Sequence, residues 1–121
     1  MEKYKLTVGL VVWNGGKYLP YCLDSLLKQS FQDFFLLIVD NGSADNSVEI
    51  IEQYVDTFPD RIRFVKNKEN VGFAKGHNQV IHWSDSKYNM FLNQDIMLEP
   101  GYLEECVKKL DSDDEIASVS S

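Results

Sequence analysis

Short apolar segments alternate with amphipathic ones along this chain, and that order most constrains its fold. The apolar segments are residues 6–13, 34–39, 61–66 and 88–92, and a strand-like stretch returns at 116–121. The first is rich in Val and Leu on both faces, which is typical of a parallel strand buried in a sheet. The alternation predicts an α/β fold, with a mostly parallel, doubly wound sheet flanked by helices and joined by right-handed crossovers.

The segments between the predicted strands repeat their apolar residues at helical spacing. Pro20 lies in the first turn of the first of these helices, where its missing N–H costs little. A cap at Ser43 or Asn46 is predicted to open the second. Four helices are expected, over residues 19–29, from 43 or 46 to 58, from 72 to about 83, and from 100 to about 110.

Length, composition and charge predict one globular domain over residues 1–121 and bound its partners. Hydrophobic residues make up 44% of the chain and charged residues 26%, enough for a core and a polar surface. The 12 basic and 19 acidic residues give a net charge of −7, which argues against nucleic acid, because binding a phosphate backbone needs clustered Lys and Arg. A small phosphorylated ligand remains compatible, since backbone N–H groups and a divalent cation can neutralise it.

The two cysteines and the hydropathy profile indicate the compartment. Cys22 and Cys106 each lie in a predicted helix beside apolar residues, without Cys-x-x-Cys spacing or a nearby histidine cluster. We predict buried thiols in a reducing, cytoplasmic environment rather than a disulfide or a structural zinc site. No apolar stretch approaches the roughly 18 residues of a membrane span, so we expect a soluble or peripherally attached protein.

Acidic residues follow two of the predicted strands. Asp40 comes after the segment 34–39, and Asp95 closes the Asn-Gln-Asp sequence after the segment 88–92. In an open parallel sheet, ligands bind outside the carboxyl ends of the strands. Asp40 and Asp95 are therefore the leading candidates for a functional site.

Four motifs stand in order along the chain, and together they resemble the family 2 glycosyltransferases. They are residues 10–14 (LVVWN), 39–45 (VDNGSAD), 70–78 (NVGFAKGHN) and 91–95 (FLNQD). The likeness is closest to the rhamnosyltransferase-like branch of surface polysaccharide synthesis and runs from residue 6 to residue 121. It implies a GT-A fold and inverting sugar transfer from a nucleotide-diphospho-sugar, dTDP- or UDP-linked, to a saccharide or lipid-linked acceptor.

The resemblance places the nucleoside on the first strand and on Asp40. A carboxylate at a strand end can accept from the imide N–H of uracil or thymine. The alternative is that Asp40 only caps the turn, but Asn41, Gly42 and Ser43 already supply turn chemistry, so we favour the nucleoside role. The donor-binding residues that the resemblance implies are Val12, Trp13, Asn14, Asp40, Asn41, Gly72, Lys75, Asn78, Asn93 and Asp95.

Asp95 matches the last carboxylate of the family's Asp-x-Asp motif, which binds a divalent metal on the donor diphosphate. Mg²⁺ or Mn²⁺ would bridge the diphosphate oxygens and stabilise the leaving group, and such ions need only one or two protein carboxylates. Asn93 departs from the strict pattern and weakens the charge of the site. Its amide remains able to meet the ribose or a phosphate.

The segment 70–78 places glycines where a backbone can approach a ligand, and its helix start suits anions. Two interpretations stay open for Lys75, which either reaches the diphosphate or is an exposed helix lysine. Asn78 either bonds across to the donor loop or braces it. His77 and His82 are predicted to be packing or surface residues, since no carboxylate or second histidine lies at ligand spacing.

The carboxyl end of the sequence gives further expectations. The strand-like stretch 116–121 breaks off abruptly, which favours a piece of a longer protein. The family's general base and most of its acceptor site would then follow Ser121, and this chain alone would be weak or inactive. An open sheet edge at 117–121 predicts self-association. The acidic stretch 111–115 is interpreted as a helix end and a solvated loop rather than a metal site.

Two other functions remain as alternatives. A non-catalytic nucleotide-binding or oligomerising module would keep Asp40 and lack an acceptor half. A nucleotidyltransferase would carry a glycine-rich, basic phosphate loop after its first strand, of which residues 14–17 are only a faint version. Trp13 and Trp83 are predicted to be core residues, with Trp13 the better placed of the two to stack on a base.

Overall fold

The computed structural model describes residues 4–112 and 119–120 and confirms the alternating order. The strands are β1 (Leu6–Val12), β2 (Phe34–Asn41), β3 (Ile62–Asn67), β4 (Tyr88–Leu92) and β5 (Val119–Ser120). The helices are α1 (Leu19–Leu27), α2 (Ser47–Thr57), α3 (Phe73–Trp83) and α4 (Tyr102–Ser112). The bounds of β4 are those predicted, and β2 runs two residues beyond its predicted end, to Asn41.

The five described strands form one parallel sheet in the order β3-β2-β1-β4-β5. The chain moves outward from β1 to β3 and then returns to the other side of β1. The reversal therefore lies between β1 and β4, where open α/β sheets bind their ligands. Val12 of β1 is level with Asp40 of β2, and Leu10 is level with Leu92 of β4.

Two hydrophobic clusters cover the two faces of the sheet, because side chains of successive strand residues point to opposite sides. The larger cluster joins α1, α2 and α4 to residues such as Leu10 and Ile38. The smaller one places Val80 of α3 against Val11 and Val39. Burying each of these aliphatic side chains stabilises the fold by about 1.5–3 kcal/mol.

The predicted uniform hand of the crossovers holds for the first three connections. Between β3 and β4 the chain reverses its direction across the sheet and α3 takes the opposite face, so the hand stays the same. After β4, α4 packs on the same face of the sheet as α1. Hydrogen bonds from Leu103 N to Gln29 Oε1 and from Ser30 N to Pro100 O hold α4 and its approach segment beside α1.

Helix α3 lies close against β1. A Cβ added at Gly76 would lie 2.9 Å from Cγ1 of Val11, so only glycine lets the helix approach this far. Gly76 was predicted to let the backbone approach a ligand, and in the structure it serves helix-to-sheet packing instead. His77 packs its ring on Phe91 at 4.5 Å and His82 is exposed, which confirms the packing and surface positions predicted for them.

The cysteines and one tryptophan test the predicted core. Cys22 and Cys106 are free and buried, as predicted, and burial, followed by the charge of Asp95, raises the pKa of the Cys22 thiol to about 12. Trp83 was predicted to be a core residue, and this was wrong. It is exposed at the end of α3, where the Arg63 guanidinium lies 3.8 Å from its ring centroid.

The acidic stretch 111–115 lies only partly in the described structure. Asp111 ends α4 as a structural residue that binds the Lys5 ammonium and the Tyr88 hydroxyl. Residues 113–115 lie outside the described residues, as do 117, 118 and 121 of the edge predicted to self-associate. Among the described residues, no helix is long and apolar enough to cross a membrane.

Candidate functional site

A cleft of about 390 Å³ opens at the carboxyl ends of β1, β2 and β4, where the strand order reverses. It is lined by Val11, Trp13, Asn41, Asn70, Asn93, Gln94 and Asp95. Four of the ten predicted donor-binding residues line it: Trp13, Asn41, Asn93 and Asp95. Asn70 and Gln94 lie within the motifs, but their positions became evident only from the sheet order.

Trp13 lies one residue beyond β1 and is 52% exposed. The prediction that it belongs to the core was wrong, because the strand ends before it and the chain turns away at Asn14, which has φ +48°. An exposed indole at the wall of a cleft offers a flat apolar surface for a base or a sugar ring. Trp13 therefore has the placement of a stacking platform.

Gln94 joins the end of β4 to the end of β1 through its side chain. Its Oε1 accepts from Trp13 N at 2.9 Å, and its Nε2 donates to Trp13 O at 3.0 Å. Backbone pairing between β1 and β4 extends only to Leu10 and Leu92, so this amide continues the ladder beyond it. A Cβ on Gly15 would collide with the Gln94 side chain.

Side chains occupy four successive backbone N–H groups in the loop after β1. The N–H of Trp13 donates to Gln94 Oε1 and that of Asn14 to Ser43 Oγ, each at 2.9 Å. The N–H of Gly15 donates to Ser47 Oγ and that of Gly16 to Asp45 Oδ2, also at 2.9 Å. A phosphate-binding loop needs such groups free for its ligand. This loop is instead fixed by the turn after β2 and by Gln94.

The start of α2 corrects a predicted cap. Asn46 occupies the cap position without a side-chain bond, and the Ser43 hydroxyl binds Asp40 and the Asn14 N–H instead. Asp45 Oδ1 accepts from Ser47 N at 2.9 Å and supplies the missing cap. Desolvation alone would raise the pKa of the Asp45 carboxyl. Hydrogen bonds from the Ser47 hydroxyl and the Gly16 N–H outweigh it and hold this pKa below its ordinary value.

The lowered pKa of Asp45 predicts a pH dependence of stability. The carboxylate contributes fully above its unfolded pKa of about 3.9, and that contribution is lost as the pH falls through the lower folded pKa. We expect the difference in free energy of unfolding between wild type and Asp45→Asn to be largest near neutral pH and to shrink towards about pH 3. Urea titrations at a series of pH values measure it, with Asp56→Asn on α2 as control. A difference independent of pH would contradict this role.

Asp40 is 1% exposed and holds the turn after β2. Its Oδ2 accepts from Gly42 N at 3.1 Å and Ser43 N at 3.0 Å, and its Oδ1 accepts from the Ser43 hydroxyl at 2.6 Å. The premise that residues 41–43 supply the turn chemistry without Asp40 was therefore wrong. The turn takes three of the roughly four acceptor positions of this carboxylate, which leaves about one for a nucleoside.

A chain of side-chain amides connects the cleft to α3. Asn41 Nδ2 donates to Gly72 O at 3.2 Å, and Asn67 Nδ2 donates to Asn41 Oδ1 at 2.8 Å. Gln79 exchanges two bonds with Asn67, at 2.9 and 3.0 Å. The bracing considered for Asn78 is thus supplied by its neighbour Gln79.

The other predicted donor-binding residues do not line the cleft. Val12 is completely buried in the larger cluster, and Asn14 accepts from Ala44 N at 2.8 Å. Gly72 is exposed at the cap of α3. Lys75 and Asn78 are exposed on α3 and line a separate groove of about 440 Å³, together with Val71, Gln79 and His82.

Asp95 and Asn93 are the residues that would hold a divalent cation. Both are exposed where they line the cleft, and within the described structure no hydrogen bond or salt bridge occupies the Asp95 carboxylate. No group of three His, Cys, Asp or Glu residues among the described ones forms a closed metal site. One carboxylate and one amide oxygen fit Mg²⁺ or Mn²⁺ that takes its remaining ligands from a diphosphate and water.

The sequence model described as Glycosyl transferase family 2 matches residues 7–121. The chain belongs to this family. The match confirms the resemblance to the family that the four motifs indicate. It does not distinguish branches within the family.

Curated relatives of this family 2 chain are much longer proteins. It is 35% identical to the teichoic acid poly(glycerol phosphate) polymerase of Staphylococcus epidermidis over 91 residues, which is 75% of the chain and 13% of that protein. It is 31% identical to the chondroitin synthase of Pasteurella multocida over 114 residues, or 94% of the chain and 12% of the synthase. The chain therefore spans about an eighth of these two relatives.

Solved structures confirm the predicted GT-A fold of this family 2 chain. The solved fragment 1–349 of S. aureus TarS has a TM-score of 0.80 at 24% identity, covering 89% of the chain and 32% of that fragment. The mannosyltransferase PcManGT from Pyrobaculum calidifontis, in complex with GDP-Man and Mn²⁺, has a TM-score of 0.82 at 21% identity, covering 88% of the chain and 32% of that protein.

Proposed function

We propose that this chain carries the donor-binding part of a glycosyltransferase that transfers a sugar, with inversion, from a nucleotide-diphospho-sugar. The observation that carries the proposal is the cleft at the β1/β4 reversal. It combines an exposed indole, Trp13, with an exposed carboxylate and amide, Asp95 and Asn93. These groups match the three parts of such a donor, a flat base, a ribose with hydroxyls and a charged diphosphate.

Each group has a chemical role in this proposal. The Trp13 ring stacks on the base, and the Asn41 and Asn70 side chains offer hydrogen bonds to the base or ribose. Asp95, with Asn93 beside it, holds the divalent cation, which neutralises the diphosphate leaving group when bound. Asp40 fixes the turn that carries Asn41 and has about one acceptor position left for the base.

The remaining predicted residues fill secondary places. Gly72 starts α3 and accepts from Asn41, so it holds the amide chain beside the donor. Val12 anchors the loop after β1 through its buried side chain. Asn14 holds the same loop to the turn after β2, because its Oδ1 accepts from Ala44 N. Lys75 and Asn78 contact the donor only if it extends from the cleft towards the groove on α3.

The donor and acceptor are proposed from the family and from the names of relatives. A dTDP- or UDP-linked hexose is our proposed donor, and TarS has been solved with UDP-GlcNAc. A saccharide or lipid-linked acceptor in cell-surface polysaccharide synthesis agrees with relatives named as teichoic acid and chondroitin enzymes. We place the enzyme in the rhamnosyltransferase-like branch, in the cytoplasm or at the inner membrane face.

A non-catalytic nucleotide-binding module remains the second candidate, because the cleft contains one exposed carboxylate, Asp95, and within the described structure no second carboxylate lines it. Such a module would bind nucleotide and transfer no sugar even as part of a longer protein. A nucleotidyltransferase is disfavoured, since side chains occupy the N–H groups of residues 13–16 that a phosphate loop needs.

Calorimetric titration with UDP, dTDP and GDP, each with and without Mn²⁺, tests the proposal. We expect UDP or dTDP to bind more tightly than GDP, and Mn²⁺ to strengthen binding about a hundredfold, because the cation links the diphosphate to Asp95. Trp13→Ala should weaken the binding of every nucleotide. Its control is Trp83→Ala, which removes the exposed tryptophan at the last residue of α3. Absence of nucleotide binding under all conditions would contradict the proposed function.

A further inference from the structure

We infer that Gln94 is a positioning residue that locks the loop after β1 and the loop after β4 into one arrangement, and so fixes Asp95 relative to Trp13. The inference deepens the proposed function and depends on it for its consequence in donor binding. The lock itself is a property of the ligand-free chain. Both can therefore be measured separately.

The first observation is the two-point bond to one residue. Oε1 and Nε2 of Gln94 bind the N–H and the C=O of Trp13, at 2.9 and 3.0 Å. A primary amide both donates and accepts, whereas a carboxylate only accepts and a thioether does neither usefully. Only Asn and Gln offer this pair of atoms, and only Gln has the longer stem that makes the bond here.

The second observation is the place of Gln94 between two cleft residues. Asn93 and Asp95 are exposed on either side of it, while Gln94 itself is half-buried. Regular pairing of β4 with β1 ends at Leu92, and beyond it no backbone ladder to β1 constrains these residues. The amide bond to Trp13 replaces that ladder at the point where the cation would bind.

The third observation is the fit of Gly15 against the Gln94 side chain. A Cβ on Gly15 would overlap Oε1 and lie 2.7 Å from Cδ. The N–H of Gly15 is in turn held by the Ser47 hydroxyl at 2.9 Å, so the glycine cannot move aside freely. Gly15→Ala should therefore displace the Gln94 side chain while leaving its amide group chemically unchanged. It provides a second way to break the bonds to Trp13, independent of any substitution at Gln94.

Hydrogen exchange in the ligand-free chain tests the lock. We expect the Trp13 amide to exchange about tenfold faster in Gln94→Met, which loses both bonds, with Gln94→Glu between Met and wild type because it keeps the acceptor. Gly15→Ala should act like Gln94→Met, and amides within β1, such as that of Leu10, should not change. Gln53→Met on exposed α2 is the matched control. Unchanged exchange at Trp13 in both Gln94→Met and Gly15→Ala would overturn the lock.

UDP titration with and without Mn²⁺ tests the consequence for the site. Gln94→Met should reduce the gain from Mn²⁺ about tenfold, beyond any loss of metal-free affinity that a looser Trp13 causes, because the cation depends on the position of Asp95. Equal losses with and without Mn²⁺ would overturn the positioning of Asp95. If the wild type binds no nucleotide, the proposed function fails, and exchange at Trp13 then decides the inference about Gln94.

Discussion

Replacing Asp40 with alanine is expected to lower the free energy of unfolding by about 3 to 4 kcal/mol. The carboxylate is 1% exposed and accepts from Gly42 N, Ser43 N and the Ser43 hydroxyl. Hydrogen bonds to a charged group contribute about 1.5–3 kcal/mol each, and the donors left behind in Asp40→Ala are partly shielded from water. The loss is a large fraction of the stability of a small domain.

The substitution at Asp40 has two useful comparisons. Ser43→Ala removes the hydroxyl bond to Asp40 and the acceptor of the Asn14 N–H. It should cost about 1–2 kcal/mol, less than Asp40→Ala, since the N–H groups of Gly42 and Ser43 keep Asp40 as their acceptor. Asp56→Ala removes an exposed carboxylate from α2 and should change stability by less than about 0.5 kcal/mol. Urea unfolding followed by circular dichroism measures all three. A loss below about 1 kcal/mol in Asp40→Ala would show that the carboxylate does not hold the turn.

Replacing Asp95 with asparagine is expected to abolish most of the effect of Mn²⁺ on nucleotide binding, by about a hundredfold in the metal-dependent affinity. Asp95 is the one carboxylate among the described residues that line the cleft, so neutralising it leaves only amide oxygens for the cation. Asparagine keeps the size of the side chain and removes its charge. Metal-free affinity should rise slightly or stay unchanged, because a negative charge near the diphosphate is lost.

Asp56→Asn is the matched control for Asp95→Asn, because it makes the same chemical change on the exposed face of α2. Calorimetry with UDP at fixed Mn²⁺ concentrations measures both variants. Full retention of the Mn²⁺ effect in Asp95→Asn would contradict the assignment of the cation to Asp95. Loss of stability in the variant is not expected, since Asp95 makes no hydrogen bond or salt bridge within the described structure.

The two aspartates show how far local sequence can predict a site. Both were expected at the carboxyl edge of the sheet, and both lie there, Asp40 at the end of β2 and Asp95 beyond β4. Their environments differ in a way that the motifs do not reveal. The Ser43 hydroxyl donates to the buried Asp40 carboxylate. The Asp95 carboxylate lines the cleft and accepts no hydrogen bond from the described residues.

Trp13 and the segment 70–78 illustrate what local patterns miss. Trp13 follows a strand that is buried along its whole length, and periodicity alone extends that burial by one residue too far. The segment 70–78 is contiguous in sequence, yet Asn70 lines the cleft while Lys75 and Asn78 line a separate groove. A helix that starts at Phe73 turns successive residues to different sides, so a shared motif does not imply a shared site.

The sequence by itself determined the α/β order, the approximate positions of the strands and the family, because these depend on residue periodicity and on motifs read within a few neighbours. Only the tertiary structure decided that Gln94 binds Trp13, 81 residues away, and that side chains from the turn after β2 occupy the loop after β1. Such contacts depend on the strand order β3-β2-β1-β4-β5, which places β2 and β4 on either side of β1. Hydrogen bonds between distant segments form only after that order is set, so no local pattern encodes them.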